Sequence, residues 1–286
     1  MNKYIEIVDD NIKTDLEYYL NNQELIFNID NNYNIDVYLK NISYSLIMNF
    51  SESINVNITN NIDENNNKIV VNYTIEDNSV INEFFLINND GLDIEYYKNI
   101  SIKNNASYEC SCALFNENNI DYNIDISLIN DNAKAIHNVA TIASHNKKYF
   151  NVKINNIACN TIGLLNNFGV VKNNGELIFN GIGDIKNGAK NAKAHQESKI
   201  ITFDENVIAQ ANPYLIIDEA DVEASHAAAV GQMDEEQLYY LQTRGISNND
   251  ASLLITYGYL KPILKNINNE ELKHKLEKII EDKVLI

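Results

Sequence analysis

From about residue 24 to 222 the chain alternates apolar and polar side chains in short runs. IDVYLK at 35–40, SINVNIT at 53–59 and KIVVNYTI at 68–75 repeat at period two, as do ASYECSCALF at 106–115 and DYNIDISLI at 121–129. Such alternation puts every second side chain on one face, so each run predicts a strand with one buried side. Asn, Asp and Gly clusters separate the runs, which is turn chemistry. An all-β core over residues 24–232 follows. Periodicity leaves the pairing open, because a sandwich, a barrel and a solenoid alternate alike. Frequent Asn suits the left-handed corners of a solenoid, but no clean repeat period accompanies it. Residues 133–144 (AKAIHNVATIAS) read either as a helix or as a strand pair.

The two flanks differ from this core. Within a short N-terminal segment, 1–23, the stretch NIKTDLEYYLNN at 11–22 predicts one short helix. A small helical domain is expected over 233–286. Asp234 before Glu235, Glu236 and Gln237 fits an N-cap with its capping-box partner. That helix is expected to bury Leu238 and Leu241 and to stop at Gly245 as C′. Ser247 with Asp250 marks a second start, and Gly258 and Pro262 predict a kink or break near Leu260. A third helix begins near Asn269, with Leu272, Leu276, Ile279 and Ile280 as its apolar stripe.

Charge narrows the function classes. Forty acidic against 22 basic residues give −18, which disfavours nucleic acid and anionic lipid as partners. The N-terminal MNKYIEIVDDNIK has no basic region followed by an apolar run, so no secretory signal is expected. No run approaches the roughly 18 apolar residues of a membrane span. Three cysteines without framework spacing fit a reducing compartment, hence a cytoplasmic location.

Candidate chemistry is sparse. Cys110 and Cys112 share one face of a strand. Exposed, they could share a metal or cluster; inward, they are small core residues. Cys159 stands alone, and His137, His145, His195 and His274 read as ordinary structural or solvated histidines. Ser225-His226 follows the acidic residues Asp218, Glu219, Asp221 and Glu223 and precedes Ala227–Ala229 and Gly231. A neutral imidazole beside carboxylates suits a transition metal. Ser225 and His226 cannot form a hydrolytic pair, since adjacent strand residues face opposite ways. Walker A, GxSxG and HExxH patterns are absent from the sequence.

The segment Phe179–Ile246 resembles the SufB/SufD family of iron–sulfur cluster assembly scaffolds. The matching positions are Phe179 with Gly181, Gly188-Ala189, Ala194 with Gln196, and Pro213, Leu215 and Ile217. They continue with Asp221-Val222, Ser225-His226, Gly231, Asp234-Glu235, Tyr240-Leu241 and Arg244-Gly245-Ile246. Residues 105–175 fit the family only loosely, and 1–100 add nothing specific.

The resemblance implies a right-handed parallel β-helix followed by a C-terminal helical domain. It implies a non-enzymatic scaffold that builds and transfers nascent clusters with a SufC-type ABC ATPase, which supplies the ATP hydrolysis. The ATPase would dock on the helical domain at Tyr240, Leu241, Arg244 and Gly245. A SufB-type paralogue or a second copy of the chain would complete the scaffold. His226 would contribute to iron or to a transient cluster shared with that partner, none being tightly held by the chain alone. Ala224 stands where many members carry a cysteine, and Ala220, Ala227 and Ala229 also depart from the family pattern, which makes the chain SufD-like. The lost thiol keeps a purely architectural dimer subunit as an alternative. A β-helix carbohydrate-active protein is a weaker one.

Overall fold

The computed structural model describes residues 1–62, 68–87, 92–264 and 270–284. The first strands are β1 (Asn2–Val8), β2 (Asn11–Thr14), β3 (Tyr18–Asn21) and β4 (Glu24–Ile29). Next come β5 (Asn34–Lys40), β6 (Ser45–Phe50), β7 (Asn55–Ile62), β8 (Lys68–Ile75) and β9 (Val80–Ile87). They are followed by β10 (Ile94–Ile102), β11 (Ser107–Leu114), β12 (Ile120–Leu128), β13 (Lys134–Ser144) and β14 (Lys147–Asn156). The last five are β15 (Ile162–Lys172), β16 (Glu176–Ile185), β17 (Ala192–Thr202), β18 (Ile208–Ile217) and β19 (Val222–Gln232). Three helices close the chain: α1 (Glu235–Thr243), α2 (Asn248–Leu264) and α3 (Glu270–Val284). Among the described residues no helix is long and apolar enough to cross a membrane.

From β4 onward each strand pairs in parallel with the strand two places away, odd numbers in one sheet and even numbers in the other. The chain is therefore a parallel β-solenoid with helices at its C-terminal end. Asn explains much of how it turns. Asn78, Asn105, Asn132, Asn160 and Asn191 hold φ between 51° and 60° at successive corners, a conformation Asn reaches more readily than most residues. Neighbouring corner side chains bond to one another, as in Asn132 Nδ2 to Asn105 Oδ1 at 2.9 Å. A second Asn ladder climbs the even sheet through Asn123, Asn151, Asn180 and Asn212.

The interior is apolar and ring-rich. Tyr96, Tyr122, Phe150 and Phe179 stack on consecutive turns with centroids 5.1–5.5 Å apart. One ion pair is buried among them. Glu83 pairs with Lys98 and accepts hydrogen bonds from Tyr108, from Tyr73 at 3.2 Å and from Asn60 at 3.4 Å. The Lys98 ammonium also sits 3.7 Å from the Tyr73 ring centroid. Burial pushes the Glu83 carboxyl up, but the Lys98 charge and these hydrogen bonds outweigh it and hold the group below its ordinary range.

The helices do not form a detached domain. Leu260, Leu276, Ile279 and Ile280 pack onto Phe84, Leu86, Ala113, Phe115, Ala140, Ile142, Phe168 and Val170. Those strand residues point outward, so β9, β11, β13 and β15 lose their alternation where the helices cover them.

Several sequence expectations need correction. The helix expected over 11–22 is two short strands. Asp9 and Asp10, both at positive φ, turn β1 back onto β2, and β3 pairs antiparallel with β4. Pairing with the adjacent turn overrides local helix propensity there. Residues 134–144 form one strand, not a helix or a strand pair. Helix α2 runs from Asn248 to Leu264 without the expected break near Leu260. Helix α1 buries no residue completely, and Leu238 and Leu241 are half-buried. Its caps are as expected. Asp234 accepts from the Glu236 and Gln237 amides, and Gly245 at φ 86° closes a Schellman turn through Gly245 N–H to Gln242 O and Ile246 N–H to Leu241 O. Ser247 Oγ accepts from the Asp250 amide and donates to its carboxylate. Leu272 of the expected α3 stripe lies outside the described side chains.

Candidate functional site at the open end of the solenoid

His226 lies on β19, the outermost strand of the odd-numbered sheet. The corner before it is tightly built. Gly188 adopts φ 91°, and its amide donates to Glu219 at 3.0 Å. The Gly188, Ala220 and Asp221 amides hold the exposed Glu219 carboxyl below its usual range. Asn191 N–H donates to Asp221 O at 2.7 Å, which fixes where β19 starts over β17.

Register decides which way each side chain faces. His226 pairs with Gln196, Gln196 with Leu165, Leu165 with His137, and His137 with Cys110. These residues form one inward-facing ladder. Gln196 is buried, whereas His226 is exposed because no further strand lies over it. Ser225 faces outward, where its Oγ lies 2.7 Å from His195 Nδ1. Glu223 also faces outward and pairs with Lys193 at 3.0 Å. The expectation that Glu223 sits beside the imidazole fails for that reason: odd and even offsets along a strand occupy opposite faces.

Apart from Gln196 beneath it, the surroundings of His226 are apolar. Ala224, Ala228 and Val230 share its face of β19, and Ala209, Ala211, Pro213, Leu215 and Ile217 occupy the matching face of β18. Ile217 and Val230 are 43% and 46% exposed. Both outermost strands keep one edge without a strand partner among the described residues. The open end is thus a small-residue, apolar rim around one imidazole.

The proposed ATPase contacts cluster on α1. Tyr240 is exposed, and the Arg244 guanidinium stacks 5.1 Å from its ring centroid. Leu241 borders a shallow groove with Asp234, Glu236, Gln237 and Tyr240. Gly245 ends the helix.

Other candidates resolve differently. His274 is exposed beside Glu277, His145 is exposed at a corner with φ 60°, and the Cys159 thiol donates to Gly188 O at 3.4 Å. Cys110, Cys112 and His137 are all buried, with ligand atoms within 4.8 Å of one another. Reading residue by residue missed that convergence. The signal is present: His137 follows the two cysteines by one solenoid turn, but recognising it requires the turn length.

Comparison with known proteins agrees with this architecture. The family model described as "SUF system FeS cluster assembly, SufBD core domain" matches residues 40–259. The iron–sulfur cluster assembly protein SufD of Bacillus subtilis is 46% identical over 122 residues, which cover 43% of this chain and 28% of that protein. A SufBD family protein of Staphylococcus haemolyticus is 31% identical over 113 residues, covering 40% of this chain and 24% of its own length. The aligned stretches therefore span about a quarter of these relatives. With most of the solenoid, the first helix and most of the second inside the family match, the chain belongs to the SufBD core family of iron–sulfur cluster assembly proteins.

Proposed function

We propose that the chain is a SufD-like scaffold subunit that builds nascent iron–sulfur clusters together with a second β-helix subunit and an ABC-type ATPase. The observation that carries this reading is the open C-terminal end of the solenoid. Strands β18 and β19 are 10 and 11 residues long. They leave long backbone edges and an apolar rim ready to pair with another chain. His226 stands at that rim, where a partner's ligands would meet it. Ala224 supplies no thiol, so sulfur ligands come from the partner, and iron or the growing cluster is cargo shared across the joint.

The ATPase docks on α1, whose apolar and aromatic side chains Tyr239, Tyr240, Leu238 and Leu241 are not buried by the solenoid. ATP hydrolysis belongs to that partner, and the chain itself catalyses nothing. The test is anaerobic reconstitution with iron and sulfide of the chain, the ATPase and a cysteine-bearing SufB-type subunit. His226→Ala is expected to keep the complex intact and to cut cluster yield several-fold. Full yield from the His226→Ala complex would favour the second reading, an architectural subunit, which the missing thiol at position 224 supports.

A further inference from the structure

The solenoid interior holds a group of side chains that the rim at His226 does not use. Cys110 and Cys112 point inward from β11, Tyr122 from β12 and His137 from β13, and all four are fully buried. The Cys110 and Cys112 sulfurs are 3.3 Å apart. Cys112 Sγ lies 3.0 Å from the Tyr122 hydroxyl and 3.8 Å from His137 Nε2, and that nitrogen lies 3.3 Å from the hydroxyl. Strand alternation sets the two thiols on one face, and the turn above places the imidazole directly over Cys110.

We propose that Cys110, Cys112 and His137 bind one borderline divalent cation, of the Zn2+ or Fe2+ class, inside the solenoid, with the Tyr122 hydroxyl at the fourth position. Geometry is the first reason. A tetrahedral ion with metal–sulfur distances of about 2.3 Å and metal–nitrogen distances of about 2.0–2.1 Å holds its donors about 3.3–3.8 Å apart. The four separations given above run from 3.0 to 3.8 Å and the three ligand atoms all lie within 4.8 Å of one another, so modest side-chain adjustment suffices.

Charge is the second. Binding replaces two thiol protons with one dication, leaving two S–M bonds, two released protons and no net buried charge. Glu83, one turn below Cys110 on the same ladder, does not compete for the ion, because Lys98 already neutralises it.

A site this enclosed fills as the chain folds, so the test is refolding. The full chain is unfolded anaerobically with reductant and refolded with Co2+ alone. One cobalt per chain is expected to survive a chelator wash, with a thiolate-to-cobalt charge-transfer band and the intense visible bands of tetrahedral Co2+. The Cys110→Ser/Cys112→Ser chain loses the band, and Cys159→Ser keeps it. No charge-transfer band in the wild type, or a band that persists in the double variant or vanishes in Cys159→Ser, overturns the proposal. X-ray absorption of the Zn2+-refolded wild type needs no variant. A first shell with two sulfurs supports the site, and an all nitrogen–oxygen shell rejects it.

Discussion

The two ends of the solenoid solve the edge problem in opposite ways. At the N-terminal end the last strands of both sheets are β2 and β3, each four residues long and turned antiparallel to its neighbour. At the C-terminal end they are β18 and β19, 10 and 11 residues long, parallel, and apolar on the inward face. Short reversed strands offer little backbone for another chain to pair with, whereas long parallel ones invite it. The first end presents short reversed strands, and the second presents the long open edges on which the proposed partner would pair. Between them the interior is tied together by the chain's own side chains: aromatic rings stack from turn to turn, and Glu83 pairs with Lys98.

The largest effect is expected in that interior and should be independent of any partner. Glu83→Gln leaves the Lys98 ammonium buried without a counter-charge and should cost about 3–5 kcal/mol. Replacing both residues, Glu83→Leu with Lys98→Met, should recover most of that loss. Denaturant unfolding of the isolated chain measures both. If Glu83→Gln unfolds like wild type, water reaches Lys98 and the interior is not closed.

Next in size is the open end. Ala228→Arg puts a charge on the inward face of β19, beside His226 and under whatever docks there. The position is exposed in the single chain, so its stability should stay within about 0.5 kcal/mol. Association with a second β-helix subunit should weaken about 100-fold, equivalent to about 2.7 kcal/mol. Unchanged association, measured by sedimentation, would move the interface off this rim. Deleting the helices is a poorer way to isolate the rim. Loss of α2 and α3 uncovers Phe84, Phe115, Ile142, Phe168 and Val170, and that apolar surface would confuse aggregation with lost docking.

A smaller effect separates the interior from both ends by pH. Because Glu83 is held below its ordinary value of 4.5, the unfolded chain takes up this proton first as pH falls. The stability it contributes is complete above that ordinary value and disappears as pH drops through the folded one. Below about pH 5 the wild type should lose stability more steeply than the Glu83→Leu/Lys98→Met chain, by up to about 1.4 kcal/mol per pH unit. Equal slopes would mean that Glu83 is not ionised in the folded chain.

How much of this was legible follows from what each feature depends on. The strands and helix caps depend on neighbours within a few residues, so alternation at 35–40 or 121–129 and the Asp234 and Ser247 caps were readable. The solenoid repeat was not, because its length drifts. Asn57 bonds Asn34 across 23 residues, while His195 meets Ser225 across 30. The abundant Asn, readable as compositional bias, shapes corners and ladders. The Cys110–Cys112–His137 group depends on which turn stacks on which, as does the separation of Glu223 from His226. By contrast, the motif around Ser225-His226 was legible as a family pattern without any knowledge of the turn.

The smallest expected effect tests whether the two ends truly differ. Tyr19 and Leu20 of β3 are 58% and 52% exposed, so the N-terminal end is not polar throughout. What it lacks is length: a four-residue strand offers about two hydrogen-bonding positions per edge, and its reversal sets its backbone against a parallel continuation. Scattered exposed apolar side chains are ordinary on a protein surface. Leu20→Lys should therefore leave stability within about 0.5 kcal/mol and leave association with a β-helix partner unchanged, under the conditions in which Ala228→Arg weakens it about 100-fold. If Leu20→Lys weakens association as strongly as the rim variant, β3 is itself an interface, and the asymmetry between a short reversed end and a long open one disappears.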